Sequence, residues 1–294
     1  MDSINTPAGA AKALAQITQH LRERAGLSRK AIDMPDGTRY VYLEGGEGEP
    51  LFLLHGFGAN KDHFVRVAEG LTGRYRVILP DHIGFGESTA DAGLAHDAWT
   101  QAGRLAGLAN ALGLQQYHVG GSSMGGHIAM MWAAAQPEAV LSLWLLNPGG
   151  VWSGPKSEMR QRIEATGKVV LIARTPAEYK ALLDAVVFKP AHVPEAMIEA
   201  MAAPRIASAD LETQIFFELG KEGVEARVNG LKTPTLVVWG REDRIIHHGC
   251  GDILTRLMPN AQLILIDEIG HVPALECPER VVEDYIRFRS DMPA

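Results

Sequence analysis

Ser123 lies in the run Val119-Gly120-Gly121-Ser122-Ser123-Met124-Gly125-Gly126, directly after an apolar stretch and directly before a helix-prone segment at 128–135. A G-x-S-x-G pattern between a strand and a helix describes a nucleophile elbow, a strained turn that lifts one hydroxyl clear of the sheet and aims the next helix's N-terminus at it. Small residues flank such a serine because bulk there would collide with the neighbouring strand and helix. The pentapeptide alone also fits an ordinary strand-to-helix turn, so its weight depends on the rest of the chemistry. A serine hydroxyl attacks only when a base takes its proton, and that base needs an acid to hold its tautomer and orientation.

His271 is the candidate base. It ends Ile266-Asp267-Glu268-Ile269-Gly270-His271, just beyond the strand-like run 263–266, and of the eleven histidines it is the one in a Gly-His pair closing the last apolar strand. The competing reading is a surface-loop histidine. Candidate acids come from Thr235-Leu236-Val237-Val238-Trp239-Gly240-Arg241-Glu242-Asp243, where four consecutive apolar residues make a buried parallel strand and the Gly240 turn leads to a loop tipped with carboxylates. Asp243 and its neighbour Glu242 both fit on this pattern alone. Acyl transfer also requires two N–H donors aimed at a tetrahedral oxyanion. The N–H of Met124, after the serine, is one. The stretch Leu51-Phe52-Leu53-Leu54-His55-Gly56-Phe57-Gly58, a buried strand breaking into a His-Gly-x-Gly loop, offers the Phe57 N–H as the other, although the same residues describe a plain tight turn.

These residues need a scaffold that gathers strand ends. Short apolar runs alternate with helical patterns, which predicts an α/β fold with a mainly parallel sheet covered by helices on both faces. Strands are expected at 40–43, 51–55, 76–80, 117–121, 140–146, 235–239 and 263–266, with helices at 100–112 and 128–136 among those between them. Phe57, Ser123, Asp243 and His271 each follow a strand, where open α/β sheets bind ligands. The alternation stops at Asn147-Pro148-Gly149-Gly150 and resumes at Thr233-Pro234. Between them only helices are expected, at 158–173, 176–187, 194–201 and 209–221. The domain reading is therefore an N-terminal helix in 1–30, a core formed by 31–150 and 233–294, and a helical cap over 151–232. Cap residues such as Leu171, Leu182, Ile198, Ile215, Phe216 and Phe217 are expected to pack on one another, with some lining an acyl pocket.

Bulk properties narrow the classes. With 294 residues, 46% hydrophobic and 21% charged, the chain has the composition of a soluble globular enzyme. A net charge of −7 and a pI near 5.9 argue against nucleic-acid partners. The two cysteines, Cys250 and Cys277, are placed in separate polar loops with no C-x-x-C pair, which predicts a reducing compartment, no disulfide and no metal site. No apolar run spans a membrane and no signal-peptide pattern opens the chain, so a cytoplasmic protein is expected. The helix read at 10–25 carries Leu14, Ile17 and Leu21 on one thin, alanine-rich face. That face suits packing on its own domain or a partner chain better than lying on a membrane. Peripheral membrane contact through the cap or this helix, and pairing into a homodimer through the apolar cap, are the associations the sequence leaves open.

Together these motifs make the chain resemble the α/β-hydrolase superfamily over about 36–288, and more narrowly the bacterial lipases and monoacylglycerol lipases related to ABHD-type enzymes. The resemblance rests on His55-Gly56-Phe57-Gly58-Ala59-Asn60-Lys61-Asp62, Gly84-Phe85-Gly86-Glu87-Ser88, Ser122-Ser123-Met124-Gly125-Gly126, Trp239-Gly240-Arg241-Glu242-Asp243 and the cap runs 175–178 and 188–190. It implies Ser123 as nucleophile, His271 as base, Asp243 rather than Glu242 as the orienting acid, Phe57 and Met124 as oxyanion donors, and no cofactor. Asp81-His82-Ile83-Gly84 departs from the Asp-x-Pro-Gly that relatives often carry. The activity implied is hydrolysis of acylglycerol or medium-chain acyl esters. Two rivals remain at this stage: a carbon–carbon bond hydrolase of aromatic degradation, which would want a cation-lined pocket, and a weakly catalytic ligand-binding homologue. Ser123 at the elbow disfavours dehalogenases and epoxide hydrolases, which need an aspartate there.

Overall fold

The computed structural model describes residues 4–292. Eight strands form one sheet: β1 (Ser28–Asp33), β2 (Arg39–Gly45), β3 (Glu49–Leu54), β4 (Tyr75–Pro80), β5 (Tyr117–Ser122), β6 (Val140–Leu146), β7 (Thr235–Gly240) and β8 (Ala261–Ile266). Their order is β1-β2-β4-β3-β5-β6-β7-β8, and every pairing from β4 through β8 is parallel, while β1–β2 and β2–β4 are antiparallel.

The middle strands are apolar at nearly every position because both sheet faces are covered. In β3, Phe52 and Leu54 join the core on one face, and Leu51 and Leu53 the core on the other. Leu143 and Leu145 against Trp144 and Leu146 in β6, and Val237 and Trp239 against Leu236 and Val238 in β7, repeat the division. Helices Ala98–Ala111 and Met124–Ala135 cover the first face, and Pro278–Ser290 the second. Helix starts follow local chemistry. Asp97 accepts from Thr100 N at 2.9 Å ahead of Ala98–Ala111, Ser157 from Arg160 N ahead of Glu158–Thr166, and Thr175 from Glu178 N ahead of Pro176–Val186, caps each worth about 1 kcal/mol.

Between β6 and β7 lie five helices, Glu158–Thr166, Pro176–Val186, Glu195–Ala207, Ala209–Leu219 and Glu225–Val228. Leu171, Tyr179, Leu182, Ile198 and Ala202 form a separate apolar cluster there, closed by Ile245 from the loop after β7. Several details differ from expectation. The first cap helix stops at Thr166 rather than 173, because Gly167 adopts a left-handed φ of +68° and closes it. Ile215 belongs to the main core, not to the cap cluster, and Phe217 is 60% exposed. β1 escapes the sequence reading because its mostly exposed, polar SRKAID run forms a sheet edge without an apolar signature. Neither cysteine sits in a polar loop: Cys250 opens helix Cys250–Leu257 and is buried, and Cys277 is half-buried between two helices; both thiols are free. The N-terminal helix runs Pro7–Arg24 and packs against Glu195–Ala207, with Arg22 held bidentate by Asp62 at 2.6 and 2.7 Å. Among the described residues, no helix is long and apolar enough to cross a membrane.

Candidate active site

Ser123 stands between the end of β5 and helix Met124–Ala135 with φ +54° and ψ −115°, a conformation that costs a non-glycine residue of order 1–3 kcal/mol. The surroundings enforce it. Its N–H donates to Leu146 O at 3.0 Å, and its carbonyl accepts from His127 N at 3.1 Å and Gly149 N at 2.8 Å. A Cβ on Gly121 would come within 2.3 Å of Gly125, and one on Gly125 within 2.0 Å of Leu54 O, so neither glycine has an alternative. Helix and strand therefore close on the serine from both sides.

The loop after β3 runs beside it. A Cβ on Gly56 would lie 3.4 Å from Ser123 Cβ. His55 Nε2 accepts the His82 N–H at 3.0 Å, so Nδ1 carries the ring proton and donates it to Gly56 O at 2.8 Å. Gly56 O also takes the Ala59 N–H at 3.2 Å. Because C=O and N–H point oppositely in a trans peptide, holding the Gly56 carbonyl also fixes the direction of the Phe57 N–H. Burial pushes the His55 imidazole below its ordinary pKa, which suits a ring that must stay neutral to accept. Asp81 closes the far end of the loop: its carboxylate accepts from Lys61 N at 2.6 Å, Lys61 Nζ at 2.8 Å and Glu87 N at 2.8 Å. The Asp-His-Ile-Gly departure thus retains its aspartate in an anchoring role.

Asp243 and His271 meet. His271 Nδ1 donates to Asp243 Oδ2 at 2.8 Å, leaving Nε2 as the other ring nitrogen. The carboxylate accepts four further hydrogen bonds: Asn147 Nδ2 at 2.6 Å and Trp239 Nε1 at 3.0 Å on Oδ2, and Ile245 N at 2.8 Å and Ile246 N at 2.9 Å on Oδ1. Glu242, the competing carboxylate, instead accepts from Ile269 N at 3.1 Å and, among the described residues, hydrogen-bonds to no imidazole. Asn147, Trp239, Glu276 and Arg205 were not singled out by the sequence reading. Asn147 had one usable signal, its place at the first break after β6; it sits at φ +45°, a region asparagine tolerates, and its Oδ1 takes the Gly240 N–H at 3.2 Å.

The site is covered. Ser123 is 8% exposed and His271 3%. Phe57 touches Phe216 of the helical insertion edge to face, with ring centroids 5.7 Å apart. Arg205 lies over Gly58, where a Cβ would fall 2.1 Å from its guanidinium carbon. A surface groove of about 540 Å³ is lined by Lys156, Phe188, Asp243, Arg244 and His247 among others, so it reaches the acid, and neither Ser123 nor His271 lines it. Among the described residues, no group of three or more His, Cys, Asp or Glu side chains is arranged to hold a metal ion.

Comparison with known proteins agrees with this architecture. Residues 49–184 match the model of the α/β-hydrolase fold family. Lipase 1 of Psychrobacter immobilis is 37% identical over 95% of this chain and 89% of its own length. The monoacylglycerol lipase ABHD6 of Homo sapiens is 28% identical over 83% of this chain and 76% of its own. A solved structure described as a membrane phospholipase A, a bacterial virulence factor, superposes with a TM-score of 0.90 and 34% identity over 97% of this chain and 91% of that one. The chain belongs to the α/β-hydrolase family and is an ester hydrolase.

Proposed function

We propose that this enzyme cleaves acylglycerol or medium-chain acyl esters through a covalent acyl-enzyme on Ser123, with His271 as base and Asp243 as its orienting acid. Ser123 Oγ attacks the ester carbonyl while His271 Nε2 takes its proton. The tetrahedral oxyanion is held by the N–H groups of Phe57 and Met124 and collapses as the alcohol leaves with that proton returned. A water then gives a proton to the same nitrogen as it attacks the acyl carbon, the second tetrahedral intermediate collapses with that proton returned to Ser123 Oγ, and the acid is released. Asp243 orients the imidazolium that forms twice per cycle and stabilises its charge. The pocket this needs is assembled from the core, 31–150 and 233–294, and the cap, 151–232, whose Phe216 borders the Phe57 loop.

The observation that carries the reading is the 2.8 Å bond between His271 Nδ1 and a carboxylate already fixed by four other donors, at the end of the sheet where Ser123 is held at φ +54°. Lipid esters as the substrate class are supported by the lipases matched over most of the chain. Exposed Trp152 and Phe217 on the insertion and Ile17 on the N-terminal helix suit peripheral contact with a lipid surface. Ser123→Ala is expected to abolish both fluorophosphonate labelling and ester turnover in a protein that remains folded, and full activity in that variant would refute the assignment. A chain-length series of p-nitrophenyl and glyceryl esters, with and without detergent micelles, then tests the acyl preference. Exclusive use of short soluble esters would overturn the lipid class.

A further inference from the structure

One segment of the helical insertion is tied to both loops of the proposed acid–base pair. It is the end of helix Pro176–Val186 and the two residues after it. Arg244, next to Asp243, donates through Nη2 to the carbonyls of Asp184 and, at 3.0 Å, Val187. The carbonyl of Val186 accepts the N–H of His271 itself at 2.8 Å. Glu276 completes the tie. Its carboxylate accepts from Gly270 N at 3.0 and 3.1 Å and Val272 N at 3.2 Å, the N–H groups of the two residues flanking His271, and from Phe188 N at 2.8 Å. Contact is close enough that a Cβ on Gly270 would meet Phe188 N at 2.7 Å and Val187 C at 2.8 Å.

We propose that Glu276 is a positioning residue that makes the placement of His271 depend on the seating of the 184–188 segment. This rests on the reading of His271 as the base. The carboxylate chemistry is specific. Both oxygens are in use, Oε1 toward Gly270 and Val272 and Oε2 toward Gly270 and Phe188, so an amide in either orientation turns an NH₂ group on at least one of these donors. Once Glu276 no longer holds the residues on either side, His271 is oriented only by its ring bond to Asp243 and by its N–H bond to the Val186 carbonyl, which itself belongs to the segment. A displacement of about 1 Å at a general base costs on the order of a hundredfold in rate. Movement of the segment, as when a bulky ester lifts the cap, is thereby transmitted to the base, so the imidazole is in place only when the cap is closed.

The experiment compares Glu276→Gln and Phe188→Pro with the parent enzyme, and His271→Ala serves as control. Phe188→Pro removes the cap-side N–H without touching the core, and Val187 at φ −112° and ψ 153° already has the extended backbone that precedes proline. Both variants are expected to lower kcat for a small soluble ester 10- to 100-fold with KM within twofold. The low-field proton resonance of the His271 Nδ1–H···Asp243 bond should broaden in both, while thermal unfolding stays cooperative. A purely structural role would lower Tm without moving the resonance or splitting kcat from KM. If Glu276→Gln fails to fold, Phe188→Pro decides alone. A parental kcat in Phe188→Pro overturns the proposal, as does a parental kcat in Glu276→Gln. An active His271→Ala instead overturns the function reading, which separates the two failures.

Discussion

Asp243 has no freedom to choose which oxygen faces the base, because Oδ1 is taken by the N–H groups of Ile245 and Ile246, and Asn147 and Trp239 share Oδ2 with His271. Asn147 does more than donate: it also binds Gly240 N and Gly270 O, so one amide links the loops after β6, β7 and β8. Asn147→Ala leaves those two buried groups unmatched, at about 1–3 kcal/mol each. It also puts alanine at φ +45°, adding about 1–2 kcal/mol. The expected outcome is a lower denaturation midpoint and a kcat reduced roughly tenfold, part of the hundredfold or more that a general base contributes. Asn147→Asp should lose more activity, since it sets a second carboxylate on Oδ2, where the amide now stands at 2.6 Å. Parental kinetics in both variants would make the amide a bystander. As candidates, Ser123 and His271 could be picked out beforehand because each is a reactive type in a glycine-bearing loop that follows an apolar run, whereas Asp243 was separated from Glu242 only by the family resemblance. Asn147 and Glu276 could not be picked out, since an amide in a Pro-Gly turn, or one carboxylate among 35 acidic residues, shows its partners only after distant loops have met.

At the level of elements, helices Glu195–Ala207 and Ala209–Leu219 are joined by a bidentate pair, Arg205 to Glu212 at 2.7 and 2.8 Å, with side chains only 13% and 2% exposed. Arg205 also donates to Leu171 O at 2.8 Å and covers Gly58 beside Phe57. Breaking a buried pair from one side strands a charge and costs about 3–5 kcal/mol, whereas replacing both partners with apolar groups of similar size is often neutral. Glu212→Ala should therefore destabilise strongly and lower activity through the Gly58 loop. Arg205→Met with Glu212→Leu should unfold at a denaturant concentration nearer the parent than either single variant. Additive losses in the double variant would show that the pair does not act as a unit. The positions of the central strands along the chain could be read from sequence because burial on both faces leaves continuous apolar runs, whereas their order in the sheet could not. The edge strand β1 and the seat of the insertion on the sheet could not, the first for want of apolar residues and the second because it depends on contacts such as Arg205 on Gly58 that have no periodicity.

Taken as a whole, the molecule buries an unusual set of neutral imidazoles. Burial lowers the pKa of His55, His63, His82, His118 and His127, His63 to about 3 and His118 and His127 to about 4. In the unfolded chain each would titrate near the ordinary value of about 6.5. Above that pH the rings are neutral in both states and cost nothing. Below it the unfolded chain binds protons that the folded one refuses, so stability falls by about 1.4 kcal/mol per pH unit for each such histidine. The decline continues until pH reaches the folded value, about 4 for His118 and His127 and about 3 for His63. Glu87, held down to about 2 chiefly by its bond to Arg29, acts in the same direction at lower pH. The opposing effect is relief of the −7 net charge on acidification, which is spread over the surface and screened beyond about 10 Å at ordinary salt. Several imidazoles acting together therefore win, and a drop from pH 7.5 to 5 should remove several kcal/mol from a total typically near 5–15. Urea unfolding at pH 7.5, 6 and 5 should show a midpoint that is level above pH 6.5 and falls steeply below it. His118→Gln, placed where Ser142 Oγ at 2.8 Å and Glu49 at 3.2 Å can still find an amide partner, should make that fall shallower. A midpoint unchanged between pH 7.5 and 5 would mean that these rings accept protons without unfolding the chain, and the burial account of their neutrality would fail.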